Sequence, residues 1–428
     1  VANTHTETNH SGMAMTNLYH KAQSIIKKHI NANEDDVLIL DGSGMTGAIN
    51  KFQRILGLKL NEKFNKRIEL KDAERPVVFI THMEHHSNHT SWLETIADVV
   101  IVPPAKNGLV SVNNFKAAFA EYPNRPLIAS ITACSNVTGI ETPFMDIAEA
   151  AHTIDALCFV DFACSGPYVD INMHVNDATG RYLDAVFLSP HKFLGGPGTS
   201  GVLVFNKKLY HNAVPDAPGG GTVAWTNPWG ERAYLDNIEA REDGGTPPFL
   251  QTIKIALAIK LKEQMGTANI KKREEELLAI FWDKFNGIEG LNILASQHKN
   301  RLGVVSFYID DLHYNLAVKL LNDKFGIQTR GGCSCAGTYG HYLLHVDKSH
   351  SHQITNEVDT GNFSHKPGWI RMSIHPSMTN EEAEFIADSI IDIVKNKDIY
   401  KQDYMFNTDL AFAVPNDSTA DEALSDWV

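Results

Sequence analysis

The sequence has 428 residues, of which 43% are hydrophobic and 21% charged, as in ordinary globular proteins with room for two domains. Its formal net charge of −13 argues against nucleic acid or an anionic membrane as a general partner. No apolar run approaches the roughly 20 residues that a membrane-spanning helix needs. We therefore expect neither nucleic acid nor a membrane among the partners.

The number of cysteines and the identity of the first residue bear on where in the cell the protein is found. Five cysteines, an odd number in so long a chain, favour a reducing compartment over a disulfide scaffold, so we expect the protein in the cytoplasm. The sequence starts at Val1, without a methionine and inside a polar stretch. We interpret this start as trimmed, which leaves room for a targeting segment before it.

Apolar strands and helices alternate along the first half of the chain. A glycine-rich turn separates the first strand from the helix that follows it. This alternation predicts an α/β fold with a mainly parallel sheet and helices on both faces. The predicted helices are 16–31, 46–56, 113–122 and 143–153, and the predicted strands are 36–40, 77–81, 99–102, 127–132, 157–161, 185–189 and 201–205.

The pattern changes after the glycine-proline segment 244–249. Two long helical patterns come first, at 250–264 and 269–286, and then strands mix with helices. We predict a large α/β domain over 1–264, a smaller α+β domain over 265–400 and an acidic, loosely held tail over 401–428. The elements predicted in the smaller domain are strands 303–309 and 369–374 and helices 313–325 and 379–396.

Polar residues follow several strands at the sheet edge where α/β proteins bind ligands. The turn 41–50, DGSGMTGAIN, opens a helix whose N-terminal amides can hold a phosphate. It is neither a dinucleotide-binding fingerprint nor a Walker loop, and alone it is better explained as a simple glycine turn. Asp161 ends another strand, where a turn or capping residue would be equally expected.

Lys192 lies in FLSPHKFLGGPGTSGVLV, between a predicted buried strand and a glycine-rich turn. We expect its amine to be buried, and an amine removed from water can form a Schiff base. A pyridine aldehyde cofactor needs such an amine, an acid for its ring nitrogen, a stacking ring and phosphate donors. Lys192, Asp161, the histidines after Thr81 and the 41–50 turn supply these parts. The sequence therefore predicts pyridoxal 5′-phosphate as the cofactor.

Eight motifs, in this order and with this approximate spacing, resemble the class V aminotransferase family of fold-type I pyridoxal-phosphate enzymes. Within that family the chain is similar to the cysteine desulfurase and selenocysteine lyase branch, over nearly its whole length. The resemblance implies a missing N-terminal segment and a homodimer with shared active sites. The motifs are GSGMTGAIN, MEHHSN, SNVTG, VDFA, SPHKFLGGPGTSG, REDGGTP, TRGGCSCAG and WIRMS.

The resemblance implies catalytic roles for individual residues. Lys192 would bind the cofactor as a Schiff base, Asp161 would pair with the pyridinium nitrogen, and His85 would stack on the ring and relay protons. Arg371 would clamp the carboxylate of an amino-acid substrate, a bidentate task suited to guanidinium. Cys335 would attack the substrate sulfur and carry it as a persulfide.

The resemblance also implies the cofactor contacts. Asn136 would reach the phenolic oxygen of the ring, and Thr246 would reach the phosphate bound by the partner subunit. The residues expected around the phosphate of the same subunit are Gly44, Met45, Thr46, Ser189 and His191.

Three features depart from the usual desulfurase pattern. Cys164 stands where a glutamine is common, which puts one cofactor contact in doubt. A second cysteine, Cys333, precedes Cys335 by two residues. The segment 336–366 is long and rich in histidine. A zinc site made by Cys333, Cys335, His341 and His345 is an alternative for this region, although Cys-x-Cys is not the usual spacing of structural zinc ligands.

We predict desulfuration, in which sulfur passes to Cys335 and alanine is left, with a sulfur-acceptor protein as a possible partner. The alternative is an aminotransferase or another lyase that uses neither cysteine. A metal-binding or sulfur-carrying protein without cofactor chemistry is a third reading. The set of Lys192, Asp161 and His85 argues against it.

Overall fold

The structure is a computed structural model, which describes residues 3–4, 8–65, 69–364, 366–406 and 412–413. The chain forms two compact units. The first unit comprises Val1–Ser135 and Glu141–Ile270, and the second comprises Asn136–Ile140 and Lys271–Val428. No helix in the described part of the chain is both long and apolar enough to cross a membrane.

The first unit is built on a seven-stranded sheet with two small antiparallel pairs beside it. Its strands are β1 (Asp36–Asp41), β2 (Val77–Thr81), β3 (Asp98–Val102), β4 (Leu127–Thr132), β5 (Leu157–Asp161), β6 (His174–Asn176), β7 (Arg181–Tyr182), β8 (Ala185–Leu188), β9 (Gly201–Asn206), β10 (Val223–Thr226) and β11 (Arg232–Tyr234).

The strand order of the large sheet is β1-β9-β8-β5-β4-β2-β3. Strands β3, β2, β4, β5 and β8 run parallel, whereas β9 is antiparallel to both β8 and β1. In register, Thr132 pairs with Asp161 and Asp161 with Phe187. The predicted mainly parallel α/β sheet is confirmed, and the residues that follow β2, β4, β5 and β8 start from one edge of it.

Helices cover both faces of this sheet. Alternate strand residues enter different cores: Val77 and Phe79 belong to one, Val78 and Ile80 to the other. Because both faces are buried, the strands are continuous apolar runs. The helices that begin in this unit are α1 (His10–His29), α2 (Gly44–Ile55), α3 (Glu62–Asn65), α4 (His86–Leu93), α5 (Val112–Ala120), α6 (Phe144–His152), α7 (Ile238–Glu242), α8 (Phe249–Met265) and α9 (Thr267–Lys284).

Helix α2 is fixed by aromatic packing. The Phe52 ring lies 5.1 Å from that of Phe159, 5.9 Å from that of Phe187 and 5.0 Å from that of Phe205. Such a buried side chain contributes about 1.5–3 kcal/mol relative to an exposed one. The N-terminus of α2 is thereby held at the edge where β5 and β8 end.

The second unit has an antiparallel sheet of order β12-β13-β15-β14. Its core is formed by residues such as Phe281, Phe307, Leu320 and Ile390. Its elements are β12 (Leu291–Ile293), β13 (Val304–Ile309), α10 (Tyr314–Phe325), β14 (Arg330–Gly332), α11 (Gly337–Leu343), α12 (Lys348–Asp359), β15 (Trp369–Ser373), α13 (Asn380–Tyr400), β16 (Met405–Phe406) and β17 (Phe412–Ala413).

The tail predicted from residue 401 is partly described. Strands β16 and β17 pair antiparallel within it. Residues 407–411 and 414–428 lie outside the described part of the chain. The loosely held character of this tail therefore stays a prediction.

Candidate active site

The N-terminus of α2 makes a close backbone approach to the loop after β8. Gly44 has φ +61°, and a Cβ built there would collide with the His191 ring and lie 2.9 Å from the Ser189 Oγ. Only glycine fits this position without displacement. The next amide, of Met45, donates to the Ser189 Oγ over 2.9 Å. The backbone of Gly44 and Met45 thus lies directly against Ser189 and His191.

The first turns of α2 and α4 also meet. The Thr46 and Ser87 hydroxyl oxygens lie 2.6 Å apart. His85 is the N-cap of α4, and its Nδ1 accepts from the Ser87 backbone N–H over 3.1 Å. Because Nδ1 accepts, a neutral His85 ring carries its proton on Nε2. Sequence reasoning missed Ser87, which links the histidine to the hydroxyl of Thr46.

Asp161 ends β5 and is 3% exposed. Its Oδ1 accepts from the Ala163 N–H over 2.7 Å. Burial raises the pKa of this carboxyl to about 6, against the opposing effects of that hydrogen bond and of the Lys192 charge. Asp161 is therefore a buried acid at the end of β5, the type of group that pairs with the ring nitrogen of a pyridine cofactor.

Lys192 corrects one sequence-based expectation. We predicted a buried amine, but the residue is exposed. It lies on the short helical turn Pro190–Lys192, past the end of β8 and therefore beyond the strands that are covered on both faces. The neighbouring His191 is half-buried, and burial together with the Lys192 charge lowers the pKa of its imidazole.

These first-unit residues fit pyridoxal 5′-phosphate. The N-terminal amides of α2 are not capped by the side chain of Ser43, its N-cap residue. A helix N-terminus of this kind, next to hydroxyl groups, suits a phosphate. The buried Asp161 suits the ring nitrogen, and the accessible Lys192 suits the aldehyde.

The second unit contains three further predicted residues, Asn136, Cys335 and Arg371. The Asn136 Nδ2 donates to the Ser334 carbonyl over 2.7 Å. Arg371, on β15, donates from Nη1 to the Asn136 carbonyl over 3.5 Å. Asn136 thereby connects the arginine to the cysteine motif.

The cysteine motif forms a tight turn. The Ala336 N–H donates to the Cys333 carbonyl over 3.0 Å, and φ is +52° at Ser334 and +58° at Cys335. Positive φ at both central residues is the pattern of a type I′ turn, which glycine and asparagine normally occupy. Ser334 is buried, and its Oγ accepts from the Trp369 Nε1 over 3.2 Å. These contacts hold Cys335 in a conformation that costs on the order of 1 kcal/mol.

Two other predicted positions belong to the first unit. Cys164 is half-buried, with its Sγ 3.8 Å from the Ser135 carbonyl oxygen, so it makes only a weak hydrogen bond there. Thr246 is exposed between Gly245, at φ +83°, and Pro247.

The zinc alternative gains no support within the described residues, where no group of three or more His, Cys, Asp and Glu side chains is placed to hold a metal. His341 is occupied: its Nδ1 lies 2.7 Å from the Gly337 carbonyl and its Nε2 lies 2.9 Å from the Ser351 hydroxyl. His365 lies outside the described residues.

Glu84 is a further site residue that the sequence did not indicate. It is 2% exposed and precedes His85. Its Oε1 accepts from the Thr81 hydroxyl over 2.7 Å and the Thr132 N–H over 2.9 Å, so it joins the ends of β2 and β4. Burial raises the pKa of Glu84 to about 7, and the Asp161 charge contributes a little.

Comparisons with known proteins identify the family of the chain. The family model for class-V aminotransferases matches residues 1–386. The chain belongs to that family, and it is a pyridoxal-phosphate-dependent enzyme. The family, enzyme class and cofactor predicted from the sequence are confirmed.

Two curated bacterial proteins are similar over most of their length. A probable cysteine desulfurase of Halalkalibacterium halodurans is 29% identical over 344 residues, which cover 78% of this chain and 77% of that protein. A probable cysteine desulfurase of Staphylococcus epidermidis is 28% identical over 340 residues, covering 78% and 76%.

Solved structures share the fold. The apo cysteine desulfurase of Thermococcus onnurineus superposes with a TM-score of 0.74 at 21% identity, covering 92% of this chain and 88% of that one. The cysteine desulfurase CsdA of Escherichia coli gives 0.72 at 20% identity, with the same coverage. The fold-type I class predicted from the sequence is confirmed.

Proposed function

We propose that the protein is a desulfurase that removes sulfur from cysteine, or selenium from its selenium analogue. In the balanced reaction, free cysteine and the Cys335 thiol give alanine and a Cys335 persulfide. The carbon–sulfur bond of the substrate breaks, a sulfur–sulfur bond forms at Cys335, and no external oxidant is needed. The observation that carries the proposal is Cys335 held at the strained centre of a tight turn, 3.4 Å from the Arg330 guanidinium.

The first unit would hold the cofactor. Pyridoxal 5′-phosphate supplies an electron sink for the carbon from which sulfur leaves. Lys192 would bind its aldehyde, Asp161 would keep the ring nitrogen protonated, and His85 would stack on the ring and move a proton at Nε2. The phosphate would be held by Gly44, Met45, Thr46, Ser189 and His191.

The second unit would hold the substrate and receive the sulfur. Arg371 would bind the substrate carboxylate through its guanidinium, since a bidentate pair fixes orientation as well as charge. Asn136 would contact the phenolic oxygen of the cofactor, while its Nδ2 fixes Ser334. Cys335 would act as the nucleophile, with the Arg330 guanidinium beside its sulfur.

We also propose a homodimer. Thr246 is exposed in the single chain, on a segment that contains glycine and proline. Such an exposed hydroxyl could reach the phosphate of the partner subunit, as the family pattern implies.

All five cysteines are free, which fits a reducing compartment. We therefore place the enzyme in the cytoplasm, with a sulfur-acceptor protein as partner.

A second candidate is transamination, or another lyase reaction on the same cofactor. It is favoured by Cys164, whose thiol stands where desulfurases commonly have glutamine. In that reaction neither Cys333 nor Cys335 would be needed, so the two candidates differ in what a cysteine substitution does.

The test is a substrate screen in which sulfide and alanine are followed together in the presence of a reductant. For the desulfurase, cysteine should give equal amounts of sulfide and alanine, and its selenium analogue should give equal amounts of selenide and alanine. Cys335→Ala should abolish both and leave the cofactor spectrum intact, whereas Cys333→Ala, the matched control on the same turn, should have a much smaller effect. Full turnover by Cys335→Ala on the best substrate would make transamination the leading function.

A further inference from the structure

Cys333 is a second thiol that the proposed reaction leaves unused. It is the first residue of the turn 333–336, and Cys335 is the third. Two residues span at most about 7 Å of chain, and a turn shortens that distance. The sulfur–sulfur bond of a persulfide adds about 2 Å of reach to Cys335. The two sulfur atoms can therefore meet by rotation of their side chains.

Cys333 also lines a cavity of about 180 Å³ within the second unit. The cavity lies among α11, α12 and β15, and its wall is mostly apolar, with Leu344, Ile354 and Trp369 in contact with it. A sulfur atom is comparable in size to a water molecule, which takes about 30 Å³. The cavity is thus large enough for an extra sulfur on Cys333. That sulfur would lie beside mostly apolar side chains.

We propose that Cys333 is a sulfur store that receives the outer sulfur atom from the Cys335 persulfide. The inference rests on the proposed desulfurase function. The Cys333 thiolate attacks the outer sulfur, the sulfur–sulfur bond at Cys335 breaks, and Cys335 leaves as a thiolate. The thiol proton of Cys333 passes to the Cys335 sulfur. One persulfide and one thiol are consumed and one of each is formed, so neither an oxidant nor a reductant takes part.

This transfer has two consequences. Cys335 returns to its thiol form and can accept a second sulfur before any acceptor arrives. The sulfur on Cys333 would lie beside apolar side chains such as Leu344 and Trp369. Each chain would therefore hold two sulfur atoms.

The experiment uses the cofactor-loaded full chain with a few molar equivalents of cysteine, a short incubation and no other thiol. Alanine formed per chain is counted, and the persulfides are trapped by alkylation and located by fragmentation of the peptide that contains both cysteines. We expect about two alanines per chain and a sulfur adduct on each cysteine. Cys333→Ser should give about one alanine per chain, with the adduct on Cys335.

A second variant keeps the proposal testable should Cys333→Ser fold poorly. Ile354→Trp fills the cavity and retains both thiols, so it should also lower the count to about one and remove the Cys333 adduct. One alanine per wild-type chain, with the adduct on Cys335 alone, would contradict sulfur storage on Cys333. The proposed desulfurase function would still stand. Absence of alanine and of both adducts would overturn the desulfurase, and the store with it.

Discussion

Arg330 donates from Nη2 to the Cys335 Sγ over 3.4 Å, from the first residue of β14 to the turn that follows this strand. The N–H groups of a guanidinium stabilise negative charge on a sulfur beside it while that sulfur reacts. Arg330→Gln should therefore slow alkylation of Cys335 by iodoacetamide at neutral pH by about 3- to 10-fold, on the order of 1 kcal/mol. Timed mass spectrometry measures this rate, with Cys333 in the same peptide as the internal reference.

The conservative variant separates charge from folding. Arg330→Lys keeps a cation at this position and should recover most of the alkylation rate. If Arg330→Gln slows both cysteines equally, the effect is a general change in the turn and the pairing of Arg330 with Cys335 is unimportant.

The approach of Gly44 to Ser189 and His191 gives a second prediction. Gly44→Ala adds a Cβ against both side chains in a left-handed conformation, so it should reduce pyridoxal-phosphate affinity at least 10-fold and lower the free energy of unfolding by about 1–3 kcal/mol. Gly57→Ala is the matched control: φ there is +71°, with nothing within 4 Å of the added Cβ. It should lose stability only. Cofactor titration by absorbance and urea unfolding measure the two effects.

Most strands of the first-unit sheet could be predicted because each strand is marked by its own run of apolar residues. A strand such as 77–81 is apolar throughout, which is what burial on both faces requires. The direction of β9 could not be predicted in this way. It pairs antiparallel with β1, about 160 residues earlier in the chain, and no local pattern encodes such a distant partner.

The histidine-rich segment shows a different limit. It contains helices α11 and α12, which the sequence analysis did not predict, because α12 (KSHSHQITNEVD) is mostly polar and has no fully buried residue. Its capping signal was present: Asp347 precedes the helix, and its side chain accepts from the His350 N–H over 2.8 Å. The exposure of Lys192 was missed because the position of a loop beyond a sheet edge is a tertiary property.

Lys192 gives a prediction about covalent attachment. The purified enzyme should be yellow, and borohydride should fix the cofactor on the peptide that contains Lys192, as shown by mass spectrometry. Lys192→Ala should lose this adduct. Lys207→Ala, in an exposed lysine that pairs with Asp35, should retain it. A wild-type protein that stays colourless and unmodified after incubation with pyridoxal phosphate would contradict the assignment of Lys192.

Thr246 gives a prediction about assembly. The enzyme should sediment as a dimer. Thr246→Ala should weaken cofactor retention but leave the dimer intact, because one hydroxyl contributes a contact to the cofactor and little area to the interface. Sedimentation velocity and cofactor titration test the two parts. A monomer that retains the cofactor tightly would show that the role assigned to Thr246 is wrong.

Glu84 gives a prediction about pH. Its Oε1 accepts from Thr81 and Thr132, and its Oε2 accepts from the Asn88 Nδ2 over 2.8 Å. These hydrogen bonds favour the carboxylate, but burial dominates and raises the pKa of Glu84 from 4.5 to about 7. The folded protein therefore holds this proton more tightly than the unfolded chain does. The resulting stability is fully present below pH 4.5 and is lost as the pH rises through 7.

The free energy of unfolding should accordingly fall between pH 5 and 7.5, by at most about 1.4 kcal/mol per pH unit from this group. Glu84→Gln cannot ionise, so the difference between its urea-unfolding free energy and that of the wild type should change across this window. Burial also raises the pKa of Asp161 to about 6, so Asp161 makes the unfolding free energy fall with pH in both proteins. Taking the difference between the variant and the wild type removes this shared contribution. Glu94→Gln, in an exposed glutamate at the end of α4, should follow the wild-type curve. Parallel curves for Glu84→Gln and the wild type would show that Glu84 has the same proton affinity in both states.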